Sequence, residues 1–94
     1  LKVDPNLSRA ARFVAQLLVE GSEEATPRAA LDQADEYGAL RGRSNASTAL
    51  VSKPENFQIP AAIEREEAKR LGIGVAQESL IEGGKVGIVF LLSE

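Results

Sequence analysis

The sequence predicts an α/β domain in which three helices pack against a small mixed three-stranded sheet, in the order α-α-β-α-β-β. Three observations support this prediction. Two stretches carry apolar residues at helical spacing after a residue that can cap a helix. A third, charged stretch has the mixed composition of an exposed helix. The chain then ends in an apolar run, Val86 to Leu92, which is typical of a strand covered on both faces.

The first predicted helix begins at Ser8, whose hydroxyl can accept a hydrogen bond from the first turn, and stops at Gly21. Its apolar stripe consists of Ala10, Phe13, Val14, Leu17 and Leu18. The segment before it, residues 1–7, is predicted to be an extended lead-in that contains Pro5. The short apolar run from Phe13 to Glu20 is also compatible with a buried strand, so helix is favoured there and strand stays open.

The second predicted helix begins at Thr26-Pro27, where a capping hydroxyl precedes a proline at the first helical position. It is predicted to continue to about Leu40. One face of this helix carries the small or aromatic residues Ala30, Ala34 and Tyr37. Small residues on that face favour close packing against a neighbour.

A loop is predicted from Arg41 to Ser47 and a short strand from Thr48 to Val51, ended by Lys53-Pro54 because proline cannot donate to a sheet. The third predicted helix runs from Pro60 to Leu71, with Glu66 and Arg70 spaced for an i,i+4 ion pair.

The last two predicted strands cover residues 73–77 and Val86 to Leu92, joined by a glycine-rich turn. The unit from Thr48 to Gln77 has the length of a strand–helix–strand crossover, which makes its two strands parallel. The short final connection predicts an antiparallel last pair.

Composition limits both the size and the chemistry of the protein. The 94 residues predict one small domain, 1–94, and a start at Leu1 without any Met indicates a piece of a longer protein. Net charge is −3 without a basic stripe, and neither Cys nor His is present. No apolar run approaches the ~18 residues of a membrane span, and no signal peptide is visible, so a cytoplasmic location is predicted.

No motif predicts a catalytic site, a metal or a cofactor. Gly72-Ile73-Gly74 lacks the third glycine of a dinucleotide fingerprint, and Gly83-Gly84-Lys85 lacks the hydroxyl and the following helix of a P-loop. Three carboxylates could suggest a metal site, but they alternate with basic residues as on an exposed helix: Glu64, Glu66 and Glu67. Binding is therefore favoured over catalysis.

Three basic residues flank the strand Thr48–Val51 and could contact phosphate: Arg41, Arg43 and Lys53. An exposed loop is the favoured interpretation, since a nucleic-acid-binding surface usually carries more basic charge.

The order of segments resembles the C-terminal half of the restriction-endonuclease-like, or PD-(D/E)XK, nuclease fold. The residues that carry the resemblance are Ala29 to Tyr37, then the strand Thr48–Val51, then Ala68 to Val75, which contains an L-G-I-G phrase. In that family a helix with a Q-x-x-x-Y pattern follows the catalytic strand, and Gln33 and Tyr37 match that pattern. The resemblance implies that Gln33 lies near a nuclease site.

The same resemblance implies a carboxylate and an E-x-K trio that hold a divalent metal. By position, Glu20-Gly21-Ser22 lies where E-x-K is expected, with serine in place of lysine. Asp4 is the only upstream acid that could serve as the other ligand. This alignment requires Phe13–Glu20 to be a strand.

Two functional hypotheses follow. The first is a non-catalytic protein-association or assembly module that contacts a partner protein, a neighbouring domain or a second copy, for example through an exposed edge of the last strand. The alternative is a restriction-endonuclease-like DNA-binding domain of a DNA-processing protein. In that case the nucleic-acid-binding residues are Arg41, Arg43, Lys53 and Gln33.

Overall fold

The computed structural model describes residues 2–51, 69–77 and 85–94 of the chain. Its elements, in chain order, are β1 (Lys2–Val3), α1 (Pro5–Val19), α2 (Pro27–Glu36), β2 (Ser44–Val51), β3 (Arg70–Gln77) and β4 (Val86–Ser93). The four strands form one sheet in the order β1-β3-β4-β2. β1 is parallel to β3, whereas β4 is antiparallel to both of its neighbours.

The predicted three-stranded sheet packed by three helices is therefore wrong, because the described residues form two helices and a four-stranded sheet. Most of the predicted third helix falls on residues 52–68, outside the described residues. Its predicted end is also wrong, since Arg70 and Leu71 are the first residues of β3. The predicted lead-in contains the short strand β1, which belongs to the sheet because it pairs with β3.

Helix α1 begins earlier than predicted because Asp4, rather than Ser8, caps it. The Asp4 carboxylate accepts hydrogen bonds from the amides of Asn6 and Leu7, and Pro5 occupies the first turn. The ambiguous stretch that begins at Phe13 is helical through Val19. Alternating apolar spacing is absent from this stretch, and the helix buries its Val14 and Ala15 completely.

Helix α2 begins as predicted, with the Thr26 hydroxyl accepting from the Ala29 amide. It ends at Glu36, four residues before the predicted end. Gly38 adopts a positive φ of 68°, which a glycine accepts readily and which stops the helix.

Strand β2 begins at Ser44, so residues 44–47 are strand rather than the predicted loop. Their composition is that of a loop, but each residue pairs with one in the last strand, from Ser44 opposite Ser93 to Val51 opposite Val86. Pairing with a long partner strand outweighs weak intrinsic strand preference.

Strand β4 is buried at all eight positions, which confirms the prediction that both of its faces are covered. Its predicted free edge is wrong, however, because β4 lies between β3 and β2 and pairs with both. Alternate residues of β4 face the helices, and the others join a second apolar cluster with Leu71 and Val51. β2 and β3 run in the same direction, as predicted, but they are separated by β4.

The helices pack on one face of the sheet, and the backbone of α1 lies directly against the backbone of β3. A Cβ atom on Gly74 would overlap the backbone of Ala11 and Arg12, and one on Gly72 would overlap Leu7. The two glycines of the L-G-I-G phrase thus leave room for a helix.

Candidate functional site

An open groove with a volume of about 500 Å³ lies between α1 and α2. The two helices form a hairpin, so side chains of α1 face side chains of α2 along the groove. Its apolar floor consists of Phe13 and Leu17 from α1 and Ala29 from α2. We call this surface the helix groove.

Phe13 leaves half of its surface in the helix groove accessible to solvent, with an exposed fraction of 50%. The buried residues of α1 centre on its alanines and on Val14, and Phe13 lies about 130° around the helix from that centre at 100° per residue. The aromatic ring therefore does not belong to the core stripe that faces the sheet. An exposed aromatic ring in a groove is a feature that binding surfaces commonly show.

The rim of the helix groove is acidic. Glu23 and Glu24 lie in the loop between the helices, and Asp32 and Glu36 lie on α2. Among the described residues, the one cation that lines the groove is Arg28, which pairs with Asp32 at 3.2 Å. No cation of the described residues pairs with the other three carboxylates. Among the described residues that line the groove, four acids and one base give a formal charge of −3.

Local hydrogen bonds hold the loop that forms one wall of the helix groove. The Ser22 hydroxyl accepts from the Glu24 amide at 3.1 Å, and the Ser22 amide donates to the Leu17 carbonyl at 3.0 Å. Thr26, at the end of this loop, is the N-terminal cap of α2. The backbone that carries Glu23 and Glu24 is therefore ordered before any partner binds, which lowers the entropy lost on binding.

One helical turn beyond the floor, Arg9 of α1 lies over the ring of Tyr37, 4.5 Å from its centroid. This cation–π contact joins the start of α1 to the end of α2. Gln33 lines the helix groove beside Phe13. Both residues of the Q-x-x-x-Y pattern thus lie on the side of α2 that faces α1.

The structure describes three of the four predicted nucleic-acid-binding residues, and these three lie in two different segments. Gln33 lies in the acidic helix groove, whereas Arg41 and Arg43 are exposed in the segment between α2 and β2. The Arg41 guanidinium donates to the carbonyls of Gly38 (2.8 Å) and Leu40 (2.9 Å). Lys53 falls outside the described residues.

The positions that the resemblance assigned to E-x-K lie at the end of a helix. Glu20 is the C-terminal cap of α1 and accepts a hydrogen bond from Gln16, and Gly21 adopts a positive φ of 74°. Asp4, the upstream acid of that alignment, caps α1 at its other end. The alignment needs a strand before Glu20, whereas these residues form the last turns of α1.

Within residues 2–51, 69–77 and 85–94, no three potential ligands come together to hold a metal ion. No helix in these ranges is long and apolar enough to span a membrane. The acidic cluster Glu64, Glu66 and Glu67 and the glycines 83–84 fall on residues outside these ranges.

A second exposed apolar strip lies on the sheet face turned away from the helices. Val75 is 54% exposed and Ile73 is 38% exposed on β3, and Val3 on β1 is 66% exposed.

Comparison with family models, with curated proteins and with solved structures gave no match. The candidate site therefore rests on its own geometry and charge. The sequence placed Phe13 in the apolar stripe of α1 and missed its exposure. A helical wheel centred on Ala10, Ala11 and Ala15 places Phe13 away from the buried face, so the sequence could have indicated its exposure.

Proposed function

We propose that this protein is a non-catalytic association module that binds a segment of another protein in the helix groove. The observation that carries the proposal is the half-exposed Phe13 on the floor of an open groove of about 500 Å³. A concave apolar surface with fixed polar groups around it is the usual form of a peptide-binding site.

The chemistry of the chain also favours binding. A chain without His or Cys lacks the commonest general base and the thiolate nucleophile. The helix groove offers carboxylates on its rim and an aromatic ring on its floor, and the Ser22 and Thr26 hydroxyls beside it are engaged with backbone amides. This arrangement suits an extended contact with another chain.

The charge of the helix groove bears on the alternative of a nuclease-like DNA-binding domain. Gln33, the residue expected near that site, lines a groove with four carboxylates, which repel phosphate. A nucleic-acid role would then depend on Arg41, Arg43 and Lys53 without Gln33. The association module is therefore the better supported of the two functions.

The proposal is tested by selecting binders from a displayed library of random peptides of about 12 residues, the length that a helix groove of this kind can engage. Selected peptides are then measured against wild type, Phe13→Ala and Val75→Ala. We expect Phe13→Ala to weaken their binding on the order of tenfold, as for an aromatic anchor in an interface. Val75→Ala should leave binding unchanged.

Val75 is a matched control because it is exposed to a similar degree and lies on the opposite face of the sheet. Alanine at position 13 preserves helix propensity, so a folded variant is expected. Peptides that bind both variants as well as wild type would show that the helix groove is not the association surface. A library that yields no binder would also count against the proposal.

A further inference from the structure

The charge distribution around the helix groove indicates which kind of segment it takes. This surface carries four carboxylates and one guanidinium among the described residues that line it, and its carboxylates at Glu23, Glu24 and Glu36 have no cationic partner among the described residues. Carboxylates that line one groove repel one another, and an approaching cationic group relieves that repulsion.

The apolar floor adds a second requirement. Phe13, Leu17 and Ala29 offer a narrow apolar surface between the two helices, wide enough for one or two side chains rather than for a whole domain. Burial of the exposed half of Phe13 needs a complementary apolar side chain, which is the role of an anchor residue in peptide recognition.

From these two requirements together we propose that the helix groove binds a basic amphipathic segment of a partner protein. Such a segment places one or two leucine-like side chains on Phe13 and Leu17 and lysine or arginine side chains against the acidic rim. This inference rests on the proposed function and specifies the chemistry of the partner.

The acidic rim is placed to discriminate as well as to attract. An acidic or phosphorylated segment would bring negative charge to within a few ångströms of the rim, and its binding would be weakened by repulsion. Because the rim is exposed, the attraction is screened by salt and mainly raises the rate of association. The apolar anchor then limits the rate of dissociation.

The experiment uses three synthetic peptides of about 12 residues with the same leucine positions at helical spacing, so that each can present one apolar face. The remaining positions are lysine in one peptide, glutamine in the second and glutamate in the third. Dissociation constants are measured by fluorescence anisotropy, and the contact surface is mapped by amide chemical shifts of the labelled protein.

We expect the lysine peptide to bind on the order of tenfold more tightly than the glutamine peptide and the glutamate peptide to bind least, as expected for complementary and opposing charges. Its largest chemical-shift changes should fall on α1 and α2 around Phe13. Its affinity should fall severalfold between about 50 mM and 300 mM salt, because the Debye length shortens over that range.

A matched pair of substitutions distinguishes attraction by the acidic rim from attraction by the overall negative charge of the protein. Glu36 lines the helix groove, whereas its neighbour Asp35 does not line it and instead lies beside Leu40 and Ser44. Glu36→Lys and Asp35→Lys change the net charge equally. We expect Glu36→Lys to weaken the lysine peptide about fivefold and Asp35→Lys to weaken it less than about twofold, as for a direct contact against a distant charge.

The outcomes distinguish this inference from the proposed function. Equal loss in Glu36→Lys and Asp35→Lys, or equal affinity for the lysine and glutamate peptides, would overturn the basic segment. If the glutamine peptide bound best and its contacts still mapped to Phe13, the helix groove would remain an association site while the inferred partner chemistry would be wrong. Shifts confined to other surfaces would overturn both.

Discussion

The guanidinium of Arg70 donates to the carboxylate of Asp4 at 3.0 Å, across 66 positions of sequence. Spacing along the chain had suggested that Arg70 pairs with Glu66 on a helix. Instead Arg70 begins β3 and reaches the residue that caps α1. One carboxylate thus accepts hydrogen bonds from the first turn of α1 and pairs with the first residue of β3, the strand on which α1 packs.

Substitution of Asp4 separates these two roles. Asparagine keeps an oxygen that can accept from the Leu7 amide but removes the charge, whereas alanine removes both. We expect Asp4→Ala to lower the free energy of unfolding by about 1–2 kcal/mol and Asp4→Asn to lower it by less than about 1 kcal/mol. Urea denaturation at neutral pH measures both, and equal losses would show that the cap contributes little.

The stability of the fold should depend on pH through Asp4. The hydrogen bond from the Leu7 amide, aided by Arg70 and by the Asn6 amide, holds the pKa of Asp4 below its ordinary value of 3.8, although partial burial opposes the shift. A carboxyl with a lowered folded-state pKa stabilises the fold above its ordinary pKa, and that contribution is lost as the pH falls through the folded-state value.

We therefore expect wild type to lose more stability than Asp4→Asn when the pH falls from about 5 towards 2, since only wild type can protonate this group. Denaturation midpoints measured across that range for both proteins test the expectation. Parallel pH profiles would mean that Asp4 titrates alike in the folded and unfolded states.

The close approach of α1 to β3 predicts strong intolerance of a side chain at Gly74. A Cβ atom there meets the backbone of Ala11 and Arg12, which cannot move aside as a flexible side chain can. We expect Gly74→Ala to lower the free energy of unfolding by about 3 kcal/mol or more, the upper end of the range for overpacked cores. Thermal denaturation followed by circular dichroism is the measurement.

Val75→Ala is the control for this prediction, because Val75 is the next residue on β3 and is 54% exposed. Its cost should stay below about 1 kcal/mol, within the range of strand-propensity effects. A Gly74→Ala variant as stable as Val75→Ala would show that α1 can move away from the sheet.

Ser93 predicts a further stability effect at the end of β4. Its fully buried hydroxyl accepts from the Arg41 amide at 2.8 Å, donates to the Arg41 carbonyl at 3.0 Å and lies 3.2 Å from an Arg70 nitrogen that donates to it. We expect Ser93→Ala to cost about 1–2 kcal/mol, because it leaves these groups without their partner.

Ser44→Ala is the matched control for Ser93, since the Ser44 hydroxyl touches the same network at 3.1 Å but is only half-buried. Its loss should be within about 0.5 kcal/mol, as is usual for accessible polar groups. Both variants are compared by urea denaturation. Similar losses in the two variants would show that burial of the hydroxyl does not determine how much its hydrogen bonds contribute to stability.

Nucleic-acid binding is expected to be absent or weak. The chain carries a net charge of −3, and the Arg41 guanidinium already donates to two carbonyls. Fluorescence anisotropy of a labelled duplex and a labelled single strand at two salt concentrations should therefore show no salt-sensitive complex. A salt-sensitive complex that Arg41→Ala with Arg43→Ala weakens would instead favour the nuclease-like alternative.

Local sequence determined those elements whose ends are encoded by neighbouring residues. Thr26-Pro27 marks the start of α2, and the apolar run from Val86 marks β4 and the burial of both its faces. The exclusion of thiolate and imidazole chemistry follows directly from the absence of Cys and His. Each of these conclusions depends on interactions within a few residues or on composition alone.

Only the tertiary structure decided which residues meet over long separations. Residues 44–47 form a strand because they pair with β4. Arg70, which was predicted to lie in a helix, is the first residue of β3 and pairs with Lys2. The helix groove exists because α1 and α2 form a hairpin whose alanines, rather than Phe13, turn towards the core. Such contacts depend on how far-apart segments fill one core, and local preferences are too weak to specify them.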